Sequence, residues 1–179
     1  MRRNALRYLL ILPALAAGPA TVRAQSMAPS TPPAWLAVDS AARTATIKLE
    51  VTALPGGPSA LLNGYREGGV QIVVPLRWTV IWDWHSADSA GKHSLVVMAE
   101  REKLPTEGGR PAFTNAMSRS VTAGMPAGQT DHTTFEADQP GWYWLLCGVP
   151  GHALAGEWIG LKVDAEAATP SVKVKGVSP

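Results

Sequence analysis

From Trp35 onward the chain is built of short runs in which polar and apolar residues alternate with a period of two. Thr46-Ile47-Lys48-Leu49-Glu50-Val51 alternates throughout. Trp78, Val80, Trp82 and Trp84 fall on one face, with Thr79, Ile81 and Asp83 on the other. Successive side chains of a strand point to opposite faces, so the pattern is that of strands with one buried side. Gln71-Ile72-Val73-Val74, His93 to Met98, His132 to Ala137, Trp142 to Cys147 and Trp158 to Val163 are further candidates. Pro55-Gly56-Gly57, Asn63-Gly64, Gly68-Gly69, Gly108-Gly109 and Pro140-Gly141 punctuate them as turns. Beyond the first residues no stretch offers a long 3.6-residue period. Many short strands with Gly/Pro turns make the chain all-β, an antiparallel sandwich or barrel. Gly 17 and Pro 15 in 179 residues argue against a helical bundle, and a hydrophobic content of 46% can build a core. Leu104 to Gln129 carries little strand pattern and reads as a long irregular loop before the last strands. The folded domain is expected over 34–165. The tail, 166–179, holds Val172-Lys173-Val174-Lys175, either an edge strand or part of a disordered end.

The amino-terminal segment has a different character. Arg2, Arg3 and Arg7 precede an apolar run opened by Tyr8-Leu9-Leu10-Ile11-Leu12, and Val22-Arg23-Ala24 offers small residues at a cleavage site before Gln25. This is the pattern of a secretory signal over 1–24, followed by a Pro/Ser-rich linker, 25–33. A spanning helix needs about 20 apolar residues, and this run is shorter and broken by Pro13 and Pro19. The mature protein is therefore expected outside the cytoplasm, secreted or periplasmic, with no permanent membrane anchor. The leader also carries Arg2, Arg3, Arg7 and Arg23 and no acid. Without those four, the chain has twelve bases against fourteen acids, a net charge of −2 in place of +2. Nucleic acid thus loses its electrostatic case as a partner. A single cysteine excludes an intrachain disulfide.

Chemistry concentrates in Trp142-Tyr143-Trp144-Leu145-Leu146-Cys147-Gly148-Val149-Pro150-Gly151-His152. A cysteine closing an apolar strand, with a histidine five positions on across a Gly/Pro-containing loop, can aim both side chains at one point. His93 opens another strand candidate. A thiolate and two imidazoles are the set that holds copper in a trigonal plane with a weak axial ligand. Zinc on Cys-His₂ with a water or carboxylate is the chemical rival. Taken singly, Cys147 reads as a small buried core residue, and either histidine as an ordinary polar side chain.

At these residues the chain resembles the cupredoxins, and within them the sulfocyanin-like blue copper proteins. The resemblance runs through Trp35-Leu36, Leu62-Asn63-Gly64-Tyr65, Val74-Pro75, His93-Ser94-Leu95-Val96-Val97, Phe135-Glu136-Ala137 and Gly141-Trp142-Tyr143. Its most specific piece is Cys147-Gly148-Val149-Pro150-Gly151-His152-Ala153, followed by Gly156-Glu157-Trp158. It implies a Greek-key β-sandwich with one type 1 copper ion at one end. His93, Cys147 and His152 would be the equatorial ligands, and one-electron transfer the role.

One position departs from the family pattern. The residue five after the second histidine is methionine in sulfocyanins, as the axial ligand; here it is Glu157. A bound carboxylate favours Cu(II) over Cu(I) and pulls the site toward tetragonal geometry. The expected consequences are a lower potential and a colour moved from blue toward green or red. A Glu157 that turns away, or stays protonated in an apolar wall, would leave the copper three-coordinate. Met98 lies at an odd offset from His93 and faces the other way on a strand. Met117 and Met125 fall in the irregular loop, and Met27 in the linker. His85 and His132 are expected to face solvent, and Ser94 either braces the metal-bearing loops by a hydrogen bond or caps its strand. Val149, Pro150, Ala153 and Leu154 surround His152, where a redox partner protein is expected to dock on a monomer. The reading is an exported electron carrier. Its alternatives are a copper enzyme or ligand-binding site with carboxylate-ligated copper, and copper storage or delivery.

Overall fold

The structure is a computed structural model and describes residues 32–57 and 59–175. The signal-peptide reading of 1–24, and the linker as far as residue 31, lie outside the described residues.

Ten strands form two sheets, with no helix among the described residues: β1 Leu36–Asp39, β2 Thr44–Ala53, β3 Ala60–Leu62, β4 Val70–Pro75, β5 Thr79–Ser86, β6 Val96–Ala99, β7 Thr130–Glu136, β8 Gly141–Leu146, β9 Trp158–Asp164 and β10 Ser171–Val174. The first sheet runs β1-β2-β5-β7 with β3 also on β2, and the second runs β10-β4-β9-β8-β6. The alternation read from sequence is the cause of the layering. Ala45, Ile47, Leu49 and Val51 of β2 and Val80, Trp82 and Trp84 of β5 are buried, facing Val70, Ile72 and Val74 of β4 and Ile159, Leu161 and Val163 of β9. Trp82 and Trp84 are the largest fully buried side chains, each removing about 150–250 Å² from water. The all-β sandwich is what the sequence predicts.

Three local expectations need correction. The sheets are mixed, because β2 pairs with β5 and β4 with β9 in parallel. Alternation is the same for either direction of pairing, so it carries no sign of this. Residues 36–39 and 60–62 are strands that the pattern is too short to announce; both lie on β2. The strand expected from His93 begins only at Val96. His93 instead makes an isolated bridge to Met125, and the amide N–H of Ser94 points at Cys147 Sγ, 3.4 Å away, instead of a ladder carbonyl.

The interval 100–129 carries no strand, yet it is tied down. Val97 donates to Ala116 O and accepts from Ala112 N, Ser118 N donates to Leu95 O, and Leu95 N donates to Ser118 Oγ. Phe113 stacks on Phe135 at 5.3 Å between centroids and contacts Tyr143 at 4.7 Å. The loop thus acts as an irregular edge beside residues 93–97. Ser171–Val174 forms the opposite edge of that sheet, beside β4.

Candidate metal centre

Cys147 follows β8 and Glu157 precedes β9. The β8/β9 register ends at Leu146↔Trp158, and one further step brings Cys147 opposite Glu157, with Cys147 N donating to Glu157 O at 3.0 Å. Period two does the rest. Leu145 and Cys147 share a face, as do Glu157, Ile159 and Leu161, and that face looks into the sandwich. A thiol and a carboxyl therefore enter the interior side by side, both fully buried.

The nine residues between them fold back so that His152 N donates to Val149 O and Glu157 N donates to His152 O. Gly156, at φ 100°, takes a left-handed conformation that a side chain resists, and a Cβ there would collide with the Arg66 guanidinium. That guanidinium donates to Ala155 O at 2.6 Å, while Glu67 N and Gly68 N donate to Gly156 O and Trp158 O. The turn after β3 thus clamps the loop at the base of Glu157. Trp144, Leu146 and Ala153 form a second apolar cluster with Val96, on which Leu104, Val121 and Trp158 pack.

His93 arrives from the other side, its backbone bonded in both directions to Met125. Its Nδ1 lies 2.7 Å from Glu157 Oε1, and Nδ1 of His152 lies 3.0 Å from Oε2 and 3.5 Å from Cys147 Sγ. The two rings stand 5.2 Å apart, tilted by 56°. The donor atoms of His93, Cys147, His152 and Glu157 all lie within 4.8 Å of one another, and among the described residues this is the one group of its kind. Cys147, Glu157 and His93 are buried; the His152 side chain is 29% exposed.

The electrostatics follow from that enclosure. Burial alone would neutralise His93, but Cys147, Glu157 and Asp88 outweigh it and raise its pKa to about 10. The Cys147 thiol and the Glu157 carboxylate raise His152 to about 9. Burial opposes charge on Cys147 and Glu157, yet the two imidazoles hold both below their ordinary values. Two anionic donors thus face two cationic rings, a set of buried charges that a single cation can organise. Soft thiolate and imidazole donors with one carboxylate fit copper.

Two contributors escaped the sequence reading. Asp88 Oδ2 lies 2.9 Å from His93 Nε2, and Arg66 holds the ligand loop. A carboxylate five residues before a candidate ligand histidine was the available signal for the first. Ser94 does brace the loops: its hydroxyl donates to Val121 O at 2.6 Å and accepts from Gly148 N at 2.9 Å. Met98, Met117 and Met125 stand outside the group; Met117 is exposed and Met125 lies in the main core. His85 and His132 face outward, His132 toward Asp83.

An all-β sandwich that brings a buried Cys, a buried His and a partly exposed His together at one end has the make-up of a cupredoxin, a blue copper protein. A sequence profile of the sulfocyanin (SoxE) domain matches residues 33–174, and the chain belongs to that family, which binds one copper ion. No curated protein matches the sequence. Among solved structures, reduced rusticyanin is 20% identical, covering 68% of this chain and 85% of its own, with a TM-score of 0.43. Rusticyanin from Thiobacillus ferrooxidans is 22% identical over 73% and 86%, with a TM-score of 0.44. Dithionite-reduced auracyanin from the photosynthetic bacterium Roseiflexus castenholzii is 20% identical over 65% and 96%, with a TM-score of 0.45.

Proposed function

We propose that the protein is an exported one-electron carrier that holds one copper ion on His93, Cys147, His152 and Glu157, with the glutamate standing where relatives use an axial methionine. The observation that carries the reading is the position of Glu157: fully buried, with one oxygen toward each imidazole and the thiol beside them. Bound copper supplies a Cu(II)/Cu(I) couple that a thiolate and two imidazoles keep accessible.

The chain's own part is to keep the donors still. Cys147 and Glu157 are fixed by the β8/β9 ladder, His93 by its bridge to Met125, and His152 by the clamped loop. Little then has to reorganise when an electron arrives or leaves. The partly exposed edge of His152 is the natural entry point, since the other three donors are buried. Leu154, 57% exposed, and the exposed Pro150 give that end an apolar rim on which a redox partner protein can dock. The family's usual setting outside the cytoplasm and the leader pattern of 1–24 support a secreted or periplasmic location. No helix among the described residues is long and apolar enough to cross a membrane.

Anaerobic titration with Cu(II), followed by optical and EPR spectra, tests the reading. One equivalent should develop an intense thiolate-to-copper absorption that bleaches reversibly on reduction, and Cys147→Ala should lack it. Absence of that band in the wild type would overturn the proposal. A spectrum that changes with azide or nitrite would move the assignment to a copper site open to exogenous ligands.

A further inference from the structure

Between β5 and His93 the chain makes a short turn whose geometry serves one contact. Asp88, only 6% exposed, points one carboxylate oxygen back to its own loop, where Oδ1 accepts from Ala90 N at 2.8 Å. The other, Oδ2, accepts from His93 Nε2 at 2.9 Å. The turn is itself anchored, since Ala87 N donates to Val51 O and Ser86 N to Gln129 O. Gly91 closes over the pair. A Cβ at that position would stand 2.8 Å from His93 Nε2 and 3.3 Å from Asp88 Oδ2, so only glycine lets the backbone pass this close. Three features of one six-residue turn therefore converge on the far nitrogen of His93: a buried carboxylate, a backbone N–H that aims it, and a missing side chain.

We propose that Asp88 is the positioning residue of the metal centre, fixing His93 with Nε2 protonated and Nδ1 presented to the ion, and placing a buried negative charge behind the ring. The proposal rests on His93 being a copper ligand. An imidazole that donates its second N–H to a carboxylate is held in one tautomer and one orientation and becomes a stronger donor. A carboxylate behind the ring also stabilises the more highly charged oxidised ion. Asp88 and Glu157 thereby act in the same direction from opposite ends of His93. The chain sets its preference for Cu(II) partly through a residue that never touches the metal.

Asp88→Asn and Asp88→Ala separate orientation from charge. Asn keeps one carbonyl acceptor for Nε2–H, gives up the acceptor for Ala90 N and removes the charge; Ala removes the charge and both acceptors. In the copper-loaded protein, Asp88→Asn should shift the oxidised-to-reduced preference toward Cu(I) by about tenfold, which is about 59 mV for one electron, with the thiolate band retained. Asp88→Ala should shift it at least as far and weaken Cu(II) binding by about 10–100-fold. In the Cu(I)-loaded protein, NMR should show the His93 Nε2 proton protected from exchange in the wild type and in Asp88→Asn, and exposed in Asp88→Ala. A potential unchanged in Asp88→Asn, or an equally protected proton in Asp88→Ala, would overturn the proposal. Should Asp88→Ala fail to fold, the potential of Asp88→Asn still decides. A wild type with no thiolate band would instead defeat the ligand reading itself, so the two failures are told apart.

Discussion

The protein's four histidines form two pairs, and both pairs stand beside carboxylates. His85 and His132 lie on the outer face of the first sheet. There β5 and β7 place Asp83 opposite His132, and β2 places Glu50 beside His85. His132 Nδ1 reaches Asp83 Oδ1 at 2.7 Å and His85 Nδ1 comes within 4.0 Å of Glu50 Oε1, but water bathes all four groups and each histidine has a single partner. Exposed pairs of this kind contribute about 0–1 kcal/mol. His93 and His152 share one carboxylate and one thiol at an end closed to water except along the edge of His152, and His93 is gripped from behind by Asp88. The same two residue types thus give a solvated surface in one place and a candidate metal centre in the other. Exclusion of water and convergence on a shared point make the difference, since in a low-dielectric enclosure each charge must find its partner within the group.

The comparison can be tested where its effects are largest, at Glu157. Replacing it by methionine should raise the potential of the copper-loaded protein by at least about 59 mV, a tenfold change in preference, and make the spectrum bluer. Voltammetry and absorption spectra that matched the wild type would show that the buried carboxylate is no donor.

A smaller effect is expected from pH in the metal-free protein. His93 and His152 have raised values, so their contribution to stability is full below the unfolded value of 6.5 and is lost as pH rises through about 9 and about 10. Cys147, Glu157 and Asp88 have lowered values, so theirs is present above the unfolded values and is lost as pH falls through the folded ones. The Cys147 thiolate still gains up to its unfolded value of 9.0, which makes the alkaline loss shallower. The melting temperature should therefore be highest between the unfolded carboxyl value of 4.5 and the unfolded imidazole value of 6.5, and thermal melts across pH 4 to 10 measure it. A monotonic profile would mean that the five groups do not act as one cluster.

The smallest effect belongs to the outer pair. His85→Ala and His132→Ala should each change stability by no more than about 0.5 kcal/mol in denaturant titrations and leave copper affinity untouched. A lost or displaced thiolate band in either variant would dissolve the distinction between the two pairs.

Much of the fold could be read from the order of residues because period two is a local property. Thr46 to Val51, Val80 to Trp84 and Trp158 to Val163 each announce a strand and its buried face without reference to any other segment. The same parity places Glu157 with Ile159 and Leu161, and Cys147 with Leu145, on inward faces. The parallel partnerships of β2 with β5 and β4 with β9 left no local mark. Nor did the early end of strand pairing at His93, where the neighbouring amide is drawn to a thiol more than fifty residues away. Asp88 escaped for a related reason: an aspartate in a turn looks alike whether it caps a loop or grips a histidine.

What the order of residues determined by itself was direction, namely which side chains look inward and which kinds of donor the chain owns, since a strand's geometry repeats every two residues wherever it lies. What only the tertiary structure decided was proximity. Residues 66, 88, 93, 147, 152 and 157 meet because two sheets pack face to face and a clamped loop closes one end. Contacts between distant segments depend on that long-range pairing, which no short window of sequence contains.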